Sequence, residues 1–437
     1  MIKEKILTPF QKFVNIESFS GILLFAASII ALVWANSAYS DTYIALWDYK
    51  LGIKTEQFQL YKPLILWIND GLMAVFFFLI GLEVKREIML GELNSLKKLA
   101  FPLTGALGGI LFPVLFYYLF NQNSDAAAGW GIPMATDIAF ALAIIKLLGN
   151  KVPLSLKVFL TAFAIVDDIG AVLVIALFYS GQIQLNFLII SLVLLVMVYI
   201  LSYKGLYSKY LTFLVAVVVW FLFLKAGIHP TLAGVLMAFS IPIRQGATTP
   251  EFVNKLWEIT HKIKNAHIDK SPLLTKEQLG YVDDLEDWVG HYQSPLQKLE
   301  NRLHDWVAYL IMPVFALANA GVIIGGDQHM DVALAGVIVL ALVMGKSIGI
   351  SLTVFLANRI GLISIPDDIN RYHIIGISFI AGVGFTMSIF IAGLAFSGSP
   401  IYIDSAKVGI LIGSTIAGII GYLILRFMAS SSNVEAA

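Results

Sequence analysis

Long apolar runs separated by short polar connections dominate the chain, and this pattern is typical of helices that cross a membrane. A helix needs about 20 apolar residues to span the hydrocarbon core of a bilayer. Runs of about this length recur along most of the sequence, and they predict about twelve spans. The spans lie near residues 17–36, 63–84, 98–120, 127–147, 153–180, 186–203, 210–226, 228–243, 304–323, 332–358, 372–396 and 405–427.

A different pattern occupies residues 244–303, where charged and polar residues replace the apolar runs. Amphipathic pieces such as residues 251–263 predict short surface helices, but the segment has too few apolar residues for an independent domain. It divides the chain into residues 1–243 with eight predicted spans, the polar insert 244–303, and residues 304–437 with four more.

The composition agrees with a membrane protein, because 58% of the residues are hydrophobic and 13% are charged, against about 25% charged in an average soluble domain. The formal net charge is zero, so nothing indicates nucleic acid as a partner. The sequence has no cysteine, which excludes disulfides and Cys-ligated metals.

The distribution of Lys and Arg predicts the orientation in the membrane. An even number of spans places both termini on one side. The segments on that side carry fifteen basic residues, leaving out the insert, and the segments on the other side carry five. Because cytoplasmic loops are enriched in Lys and Arg, we expect both termini in the cytoplasm. Lys346 is an exception, since it lies well inside a span.

The first connection on the opposite side covers residues 49–61. Polar residues alternate there in part with β-branched and aromatic ones. This pattern is compatible with a short β-hairpin and equally with a plain loop.

Two adjacent carboxylates, Asp167 and Asp168, lie in the middle of a largely apolar run over residues 153–179. Each Asp costs about 2.5–3.5 kcal/mol at the centre of a membrane helix. The pair either forms a cation site at mid-membrane or has a structural role, paired with a buried cation or facing a wet crevice. Neighbouring side chains diverge by about 100° on a helix, so the two carboxylates cannot point the same way.

Two predicted spans are interrupted. Pro133 removes a backbone donor from one, and Gly382 with Gly384 weakens the other. Each interruption is either a kink or unwound backbone, and unwound backbone at membrane depth must be satisfied by protein or by water in a cavity. The interruptions fall in comparable places in the two halves of the chain, which indicates an inverted-repeat transporter with its site at the breaks.

Broken helices bring partly charged helix ends to the middle of the membrane. If the two broken helices cross, Asp137 could balance the positive ends and Lys346 the negative ones. One of Asp167 and Asp168 would then bind the transported cation while the other pairs with Lys346. Carboxylates, a Thr hydroxyl and unwound carbonyls are hard oxygen ligands, which suit a small alkali cation or a proton.

At the end of the second predicted span, Glu83, Arg86 and Glu87 have spacings that bring them onto one helical face. Such a cluster either anchors a helix at the membrane interface or has a function. The spacing alone is compatible with both.

Several segments resemble the NhaA family of bacterial sodium/proton antiporters. The resemblance covers nearly all of residues 17–243 and 296–427, and its specificity comes from several motifs together. These motifs are residues 69–87, 133–142, 164–171, 306–322, 345–351 and 384–392.

The resemblance implies an all-α polytopic membrane protein with inverted-topology repeats and two broken, crossing helices. It implies a secondary active transporter, not an enzyme, that exchanges intracellular Na⁺ or Li⁺ for external H⁺ by alternating access in the bacterial inner membrane. It implies no cofactor beside the transported ions. The family's hairpin after the first span forms a dimer contact, which favours a hairpin near residues 49–61 and a homodimer.

For individual residues, the resemblance makes Asp168 the principal sodium ligand with Thr136 nearby. Asp167 carries protons and pairs with Lys346, while Asp137 compensates helix dipoles. Other residues match the family's cytoplasmic cluster associated with pH regulation, namely Glu83, Arg86, Glu87 and Glu300.

Two departures from the family pattern concern regulation. The long insert has no counterpart in compact family members, and the sequence does not indicate what residues 246–294 do. The charged, His-containing turn expected after the eighth span is replaced at residues 243–246 by Ile-Arg-Gln-Gly. The resemblance therefore supports transport more fully than pH regulation.

Other functions compete with antiport. A cation-coupled symporter and a passive cation channel fit the same scaffold. An intramembrane aspartyl protease also needs two membrane carboxylates, but such enzymes resemble a pattern with the two Asp residues on different helices, whereas this pair is contiguous. Proton movement opposite to sodium in sealed vesicles separates the three, since a channel shows no obligatory exchange and a protease shows no ion flux.

Overall fold

Most of the described residues are helical. In the described part of the chain, seven helices are long and apolar enough to cross a membrane, and three further pairs of helices do so if each bent pair is one span. The protein is therefore an all-α, multi-pass membrane protein with seven to ten spans by length and composition. The computed structural model describes residues 9–54, 59–91, 95–244, 246–266, 273–323 and 330–428.

The helices before the insert alternate with short connections. They are α1 (Pro9–Ala35), α2 (Ser40–Asp48), α3 (Leu64–Trp67), α4 (Met73–Leu90), α5 (Leu96–Phe120), α6 (Ile138–Leu148), α7 (Leu154–Phe178), α8 (Leu185–Tyr203), α9 (Lys209–Ala226) and α10 (Thr231–Ser240), with 3₁₀ segments at Ser124–Met134 and Gly149–Lys151.

The insert and the second half of the chain are also helical. Their helices are α11 (Thr249–Asn265), α12 (Lys276–Tyr292), α13 (Pro295–Trp306), α14 (Met312–Asn319), α15 (Val332–Leu340), α16 (Lys346–Arg359), α17 (Arg371–Ile380), α18 (Phe385–Ala395) and α19 (Pro400–Leu423).

The structure supports up to ten of the twelve predicted spans by length and composition. The predicted span near residues 228–243 contains α10, which has only 10 residues. The predicted span near residues 304–323 begins in α13, whose residues are mostly polar, and continues in α14. Residues 1–8 and 429–437, whose side of the membrane the sequence predicts, lie outside the described residues.

Short π-helical turns join several of these helices into longer spans. The turn Ile68–Leu72 joins α3 to α4, and the turn Ala341–Gly345 ends immediately before Lys346 at the start of α16. Such turns are frequent at functional positions. Asn69, in the first turn, exchanges two side-chain hydrogen bonds with Asn319 at the end of α14, at 3.2 and 2.8 Å.

The backbones of α5 and α16 approach closely at Gly108 and Gly349. A Cβ on either glycine would lie 2.3 Å from the carbonyl oxygen of the other. Small residues permit such close helix packing in membranes. Because α5 also packs against α7, the contact holds the start of α16, where Lys346 lies, beside the helix that carries the Asp pair.

Strands β1 (Lys50–Lys54) and β2 (Gln59–Pro63) form an antiparallel hairpin between α2 and α3. Lys50 pairs with Pro63, and Lys54 pairs with Gln59. The hairpin interpretation of residues 49–61 is therefore confirmed, although the turn at residues 55–58 lies outside the described residues.

The insert forms an antiparallel pair of helices. The ring of Phe252 on α11 stacks on the ring of Tyr292 on α12, with centroids 4.1 Å apart. Capping boxes at Thr248 and Thr275 begin the two helices. The surface helix predicted from residues 251–263 is confirmed as part of α11.

The connection between α9 and α10 depends on a glycine that no other residue can replace without strain. Gly227 ends α9 with φ +78°, and its carbonyl accepts a hydrogen bond from the N–H of Gly181 at 2.8 Å. A Cβ on Gly227 would lie 2.3 Å from the carbonyl oxygen of Gln182. Gly205 has a similar φ of +82° but faces open space.

We expect Gly227→Ala to lower the melting temperature of the purified protein more than Gly205→Ala does. Both variants force an alanine into left-handed backbone, which costs about 1–2 kcal/mol. Only Gly227→Ala adds a clash with the backbone of the α7–α8 connection. Equal losses in the two variants, measured by thermal unfolding in the same detergent, would contradict this close contact.

Candidate functional site

The two interruptions that the sequence predicts are bends between separate helices. In the first, the segment Asp125–Met134 meets α6 at an angle of 42°, across the non-helical residues 135–137. In the second, α17 meets α18 at an angle of 46°, across residues 381–384. Pro133 and the two glycines therefore lie at or within a few residues of the bends.

The two bends cross and satisfy each other's backbone. The N–H of Asp137 donates to the carbonyl of Val383 at 2.7 Å. The hydroxyl of Thr136 donates to the carbonyl of Ala381 at 3.0 Å. Backbone groups that lose their intrahelical partners at each bend are thus hydrogen-bonded to the other bend, as membrane-buried backbone requires.

The carboxylate of Asp137 lies between the N-terminal ends of α6 and α18. One oxygen accepts the N–H of Phe140 at 3.1 Å. The other accepts the N–H of Thr386 at 3.1 Å and its hydroxyl at 2.5 Å. Helix N-termini carry partial positive charge, so a single buried carboxylate faces the positive ends of two half-helices.

Lys346 reaches the same crossing from α16 and is fully buried. Its ammonium group lies 3.0 Å from a carboxylate oxygen of Asp167 and also donates to the hydroxyl of Thr136. Asp167 is 1% exposed. The ion pair therefore connects α16, α7 and the first bend within one buried network.

Asp168 differs from the carboxylates around it. It is 9% exposed, against 1% for Asp167 and 2% for Asp137. No hydrogen bond or ion pair from a described residue reaches its carboxylate. The roughly 100° between neighbouring side chains on a helix turns Asp168 away from the ion pair of Asp167.

The three buried carboxylates at the crossing differ in the groups that lie beside them. The positive ends of two helices balance Asp137, and Lys346 balances Asp167. Asp168 has no such partner among the described residues, and burying an unpaired carboxylate is costly. Those residues contain no group of three or more His, Asp or Glu side chains arranged to hold a metal ion.

Comparison with known proteins bears on this arrangement. The sequence profile of the family described as Na⁺/H⁺ antiporter 1 matches residues 11–425. The chain belongs to this family. The NhaA antiporter of Oleidesulfovibrio alaskensis is 45% identical over 99% of this chain and 97% of its own length. The Na⁺/H⁺ antiporter NhaA 1 of Saccharophagus degradans is 44% identical over 97% and 92%, and the NhaA antiporter of Sulfurimonas denitrificans is 40% identical over 98% of each chain.

A second cluster of charges in this antiporter lies where α4 meets α13. The Nε of Arg86 contacts both carboxylate oxygens of Glu300, at 2.8 and 3.1 Å. The Nη1 of Arg86 contacts Glu87 at 2.5 Å. His304 lies one turn beyond Glu300, with its Nδ1 3.9 Å from an oxygen of Glu83. The structure therefore brings together all four predicted residues of the cluster.

Sequence reasoning missed several polar residues that build these sites. Thr386, Ser388 and Ser414 donate to or accept from the bends, and His304 joins the Arg86 cluster. Thr386 is the second residue of α18, two positions after Gly384, and it is one of two hydroxyl residues in an otherwise apolar half-helix. That signal could have been found, whereas Ser414 lies within an apolar helix with nothing to distinguish it.

We expect Lys346 and Asp167 to behave as a coupled pair in a double-mutant cycle. Lys346→Ala leaves a buried carboxylate without its partner, and breaking a buried pair costs about 3–5 kcal/mol. Asp167→Asn should therefore recover part of the melting temperature that Lys346→Ala loses. As a matched control, the partly exposed pair Lys62–Asp70, 2.9 Å apart, should show a coupling of about 0–1 kcal/mol. Simply additive losses at Lys346 and Asp167 would mean that the pair does not stabilise the protein.

The Arg86 cluster should make stability depend on pH through Glu300. Burial raises the pKa of the Glu300 carboxyl, and the Arg86 guanidinium opposes the shift. With a folded-state pKa above the unfolded one, the contribution of Glu300 to stability is present at acid pH and is lost as pH rises through the raised pKa. Glu300→Gln removes this titration.

We therefore expect the melting temperature of Glu300→Gln, relative to the parent, to rise as pH increases from about 4 to about 8. Glu258→Gln is the matched control. Glu258 is exposed in the insert, and its hydrogen bonds to Lys255 and Lys262 lower its pKa to about 2, below this range. A difference between Glu300→Gln and the parent that stays constant with pH would contradict the assignment.

Proposed function

We propose that this chain exchanges Na⁺ or Li⁺ for H⁺ by alternating access, with Asp168 as the principal ligand of the metal ion. The observation that carries the proposal is the buried carboxylate of Asp168, which receives no hydrogen bond or ion pair from a described residue. A buried carboxylate is stable only as the neutral acid or beside a cation. Asp168 therefore holds either a proton or a sodium ion, and that exclusive choice is the basis of exchange.

The residues around Asp168 are proposed to contribute to ion binding and proton transfer. Thr136 adds a hydroxyl oxygen near the ion, and unwound carbonyls at the bends are further hard ligands. Asp167 takes up a proton when its ion pair with Lys346 opens, so protons and metal ions use the same set of carboxylates. Asp137 is proposed to stay charged and to hold the two half-helix ends together.

For the whole molecule, we propose about twelve spans in two inverted-topology repeats. Residues 1–243 would supply eight spans, residues 244–303 a cytoplasmic insert, and residues 304–437 four spans. The asymmetry of Lys and Arg supports cytoplasmic termini. The bacterial relatives and the apolar helices support a location in the bacterial inner membrane.

The hairpin of β1 and β2 is proposed to form the contact of a homodimer. Every residue of β1 is exposed, and the apolar side chains of Leu51 and Ile53 are 43% and 63% exposed. An exposed strand edge offers unpaired backbone groups to a second strand. A second copy of the chain could supply that strand.

The Arg86 cluster is proposed to regulate the response to pH. Its members Glu83, Glu87 and Glu300 surround one guanidinium, so protonation of any carboxylate changes the balance of charge between α4 and α13. The two competing interpretations differ from antiport in how the ions move. A symporter carries H⁺ and Na⁺ in the same direction, and a passive channel moves Na⁺ without obligatory H⁺ movement.

The decisive experiment measures Na⁺-driven proton movement in sealed vesicles. Because Asp168 must be deprotonated to hold Na⁺, we expect the apparent Na⁺ affinity to weaken as pH falls between about pH 9 and about pH 6, with maximal rate less affected. Asp168→Asn should abolish exchange while the folded protein remains in the membrane. Asp125→Asn, which changes an exposed carboxylate in the segment before the first bend, is the control and should exchange normally.

Three results would contradict the proposal. Near-normal exchange by Asp168→Asn would remove the central ligand. An apparent Na⁺ affinity that does not depend on pH would mean that the two ions do not compete for one site. Sodium flux without any proton movement would instead assign the protein to the channels.

A further inference from the structure

A long apolar groove runs along the outside of the bundle between α1 and α19. Both helices pack against α6, which is a half-helix of 11 residues, and they leave a gap above it. The groove has a volume of about 800 Å³, within the range of roughly 300–1,000 Å³ typical of small-molecule sites. Val383 and Phe385, at the second bend, complete its floor.

The two walls of the groove are continuous stripes of exposed apolar side chains. Each stripe extends about 10 Å along its helix, and its members are 38% to 57% exposed. They are Ile22, Phe25 and Ile29 on α1, and Ile412, Ile416 and Ile419 on α19.

Helix α6 in the floor of the groove and helix α19 in one wall run in the same direction. At the level of the bends, the N–H of Gly384 donates to the hydroxyl of Ser414 at 3.3 Å. One turn further along α19, a Cβ on Gly418 would lie 3.0 Å from the side chain of Ile144, in the middle of α6. The C-terminal ends of α6 and α19 therefore lie at the same end of the groove.

Basic side chains flank that end, which Tyr422 and Leu147 line. Arg426 lies one turn beyond Tyr422, is exposed, and donates from Nη1 to the Tyr422 hydroxyl at 2.6 Å. A guanidinium has five N–H donors, so this bond leaves others for a ligand. Lys146 is exposed in the last turn of α6, next to Leu147. The groove is thus apolar along its length and positively charged at this end, which we call its mouth.

We propose that this groove binds one anionic phospholipid. One acyl chain lies between α1 and α19, and the phosphate contacts Arg426, with Lys146 beside it. Positive charge at the mouth favours an anionic lipid over a zwitterionic one. Contact with both walls of the groove holds this lipid in place, in contrast to the freely exchanging lipids of the bilayer.

The bound chain would also contact the centre of the protein. Val383 lies in the floor of the groove, and its carbonyl accepts the N–H of Asp137 at 2.7 Å. An acyl chain in the groove therefore packs against the backbone of the crossing from the lipid side.

The test is native mass spectrometry of the full-length protein, titrated with phosphatidylglycerol and separately with phosphatidylcholine of the same acyl chains. We expect one phosphatidylglycerol to bind more tightly than phosphatidylcholine. Arg426→Gln should weaken phosphatidylglycerol binding roughly fivefold, the effect of one basic residue at a lipid surface. Arg359→Gln, which removes an exposed arginine at the end of α16, is the control and should bind as the parent does.

A second variant tests the groove itself. Ile416→Trp places a larger side chain between the walls and should weaken binding of the lipid at least as much as Arg426→Gln does. Ile190→Trp makes the same change on the exposed face of α8 and should have no effect. If Ile416→Trp fails to fold, Thr415→Phe fills the same space from the neighbouring position.

Three outcomes would overturn the proposal. Equal affinity for the two lipids would remove the role of the charged mouth. Loss of binding in Arg426→Gln without loss in the groove-filling variant would indicate a headgroup contact on the surface alone. A dimer that dissociates when Ile416 is replaced would assign the groove to a second copy of the chain.

Discussion

Backbone that unwinds inside a membrane has no water to bond, and the centre of this protein is arranged to meet that constraint. Each of the two bends exposes polar backbone groups that a continuous helix would have paired. The second bend lies across the first, so Val383 accepts from Asp137 and Ala381 accepts from Thr136. The two bends therefore depend on each other. Neither would persist alone in an apolar surrounding.

The same crossing distributes charge unequally among three buried carboxylates. Asp137 is surrounded by donors from the starts of two helices, and Asp167 by an ammonium group. Both carboxylates therefore have partners within the fold. The remaining carboxylate, Asp168, receives no hydrogen bond or ion pair from a described residue, and this difference is the reason that we propose it as the ligand of the transported ion.

Much of this could be predicted from the sequence because its signals are local. Run length predicts membrane helices, Pro133 and the glycines near residue 383 predict the bends, and two adjacent carboxylates in an apolar run predict a charged site. Lys346 stands out because an ammonium group inside a span must have a partner. The residue pattern at 49–61 does not distinguish a hairpin from a loop, because a weak alternation fits both. The structure was needed to show the hairpin.

Other features could not be predicted because they depend on how distant segments meet. Sequence periodicity does not show that Asp137 accepts a hydrogen bond from Thr386, 249 residues away. It also does not show that His304 approaches Glu83. The number of spans also depends on how distant segments pack. A helix as short as α10 or as polar at its start as α13 crosses a bilayer only with support from its neighbours, and that support is a property of packing.

The carboxylate shared by α6 and α18 has a mechanical consequence. Any displacement of one half-helix away from the other would strip donors from a charge that water cannot reach, so the two must travel together as one rigid body. By contrast, the one ion pair between α16 and α7 among the described residues joins Lys346 to Asp167, and a proton on Asp167 would remove it. We therefore propose that α7 and α16 separate more easily than α6 and α18, and that protonation of Asp167 favours the separation.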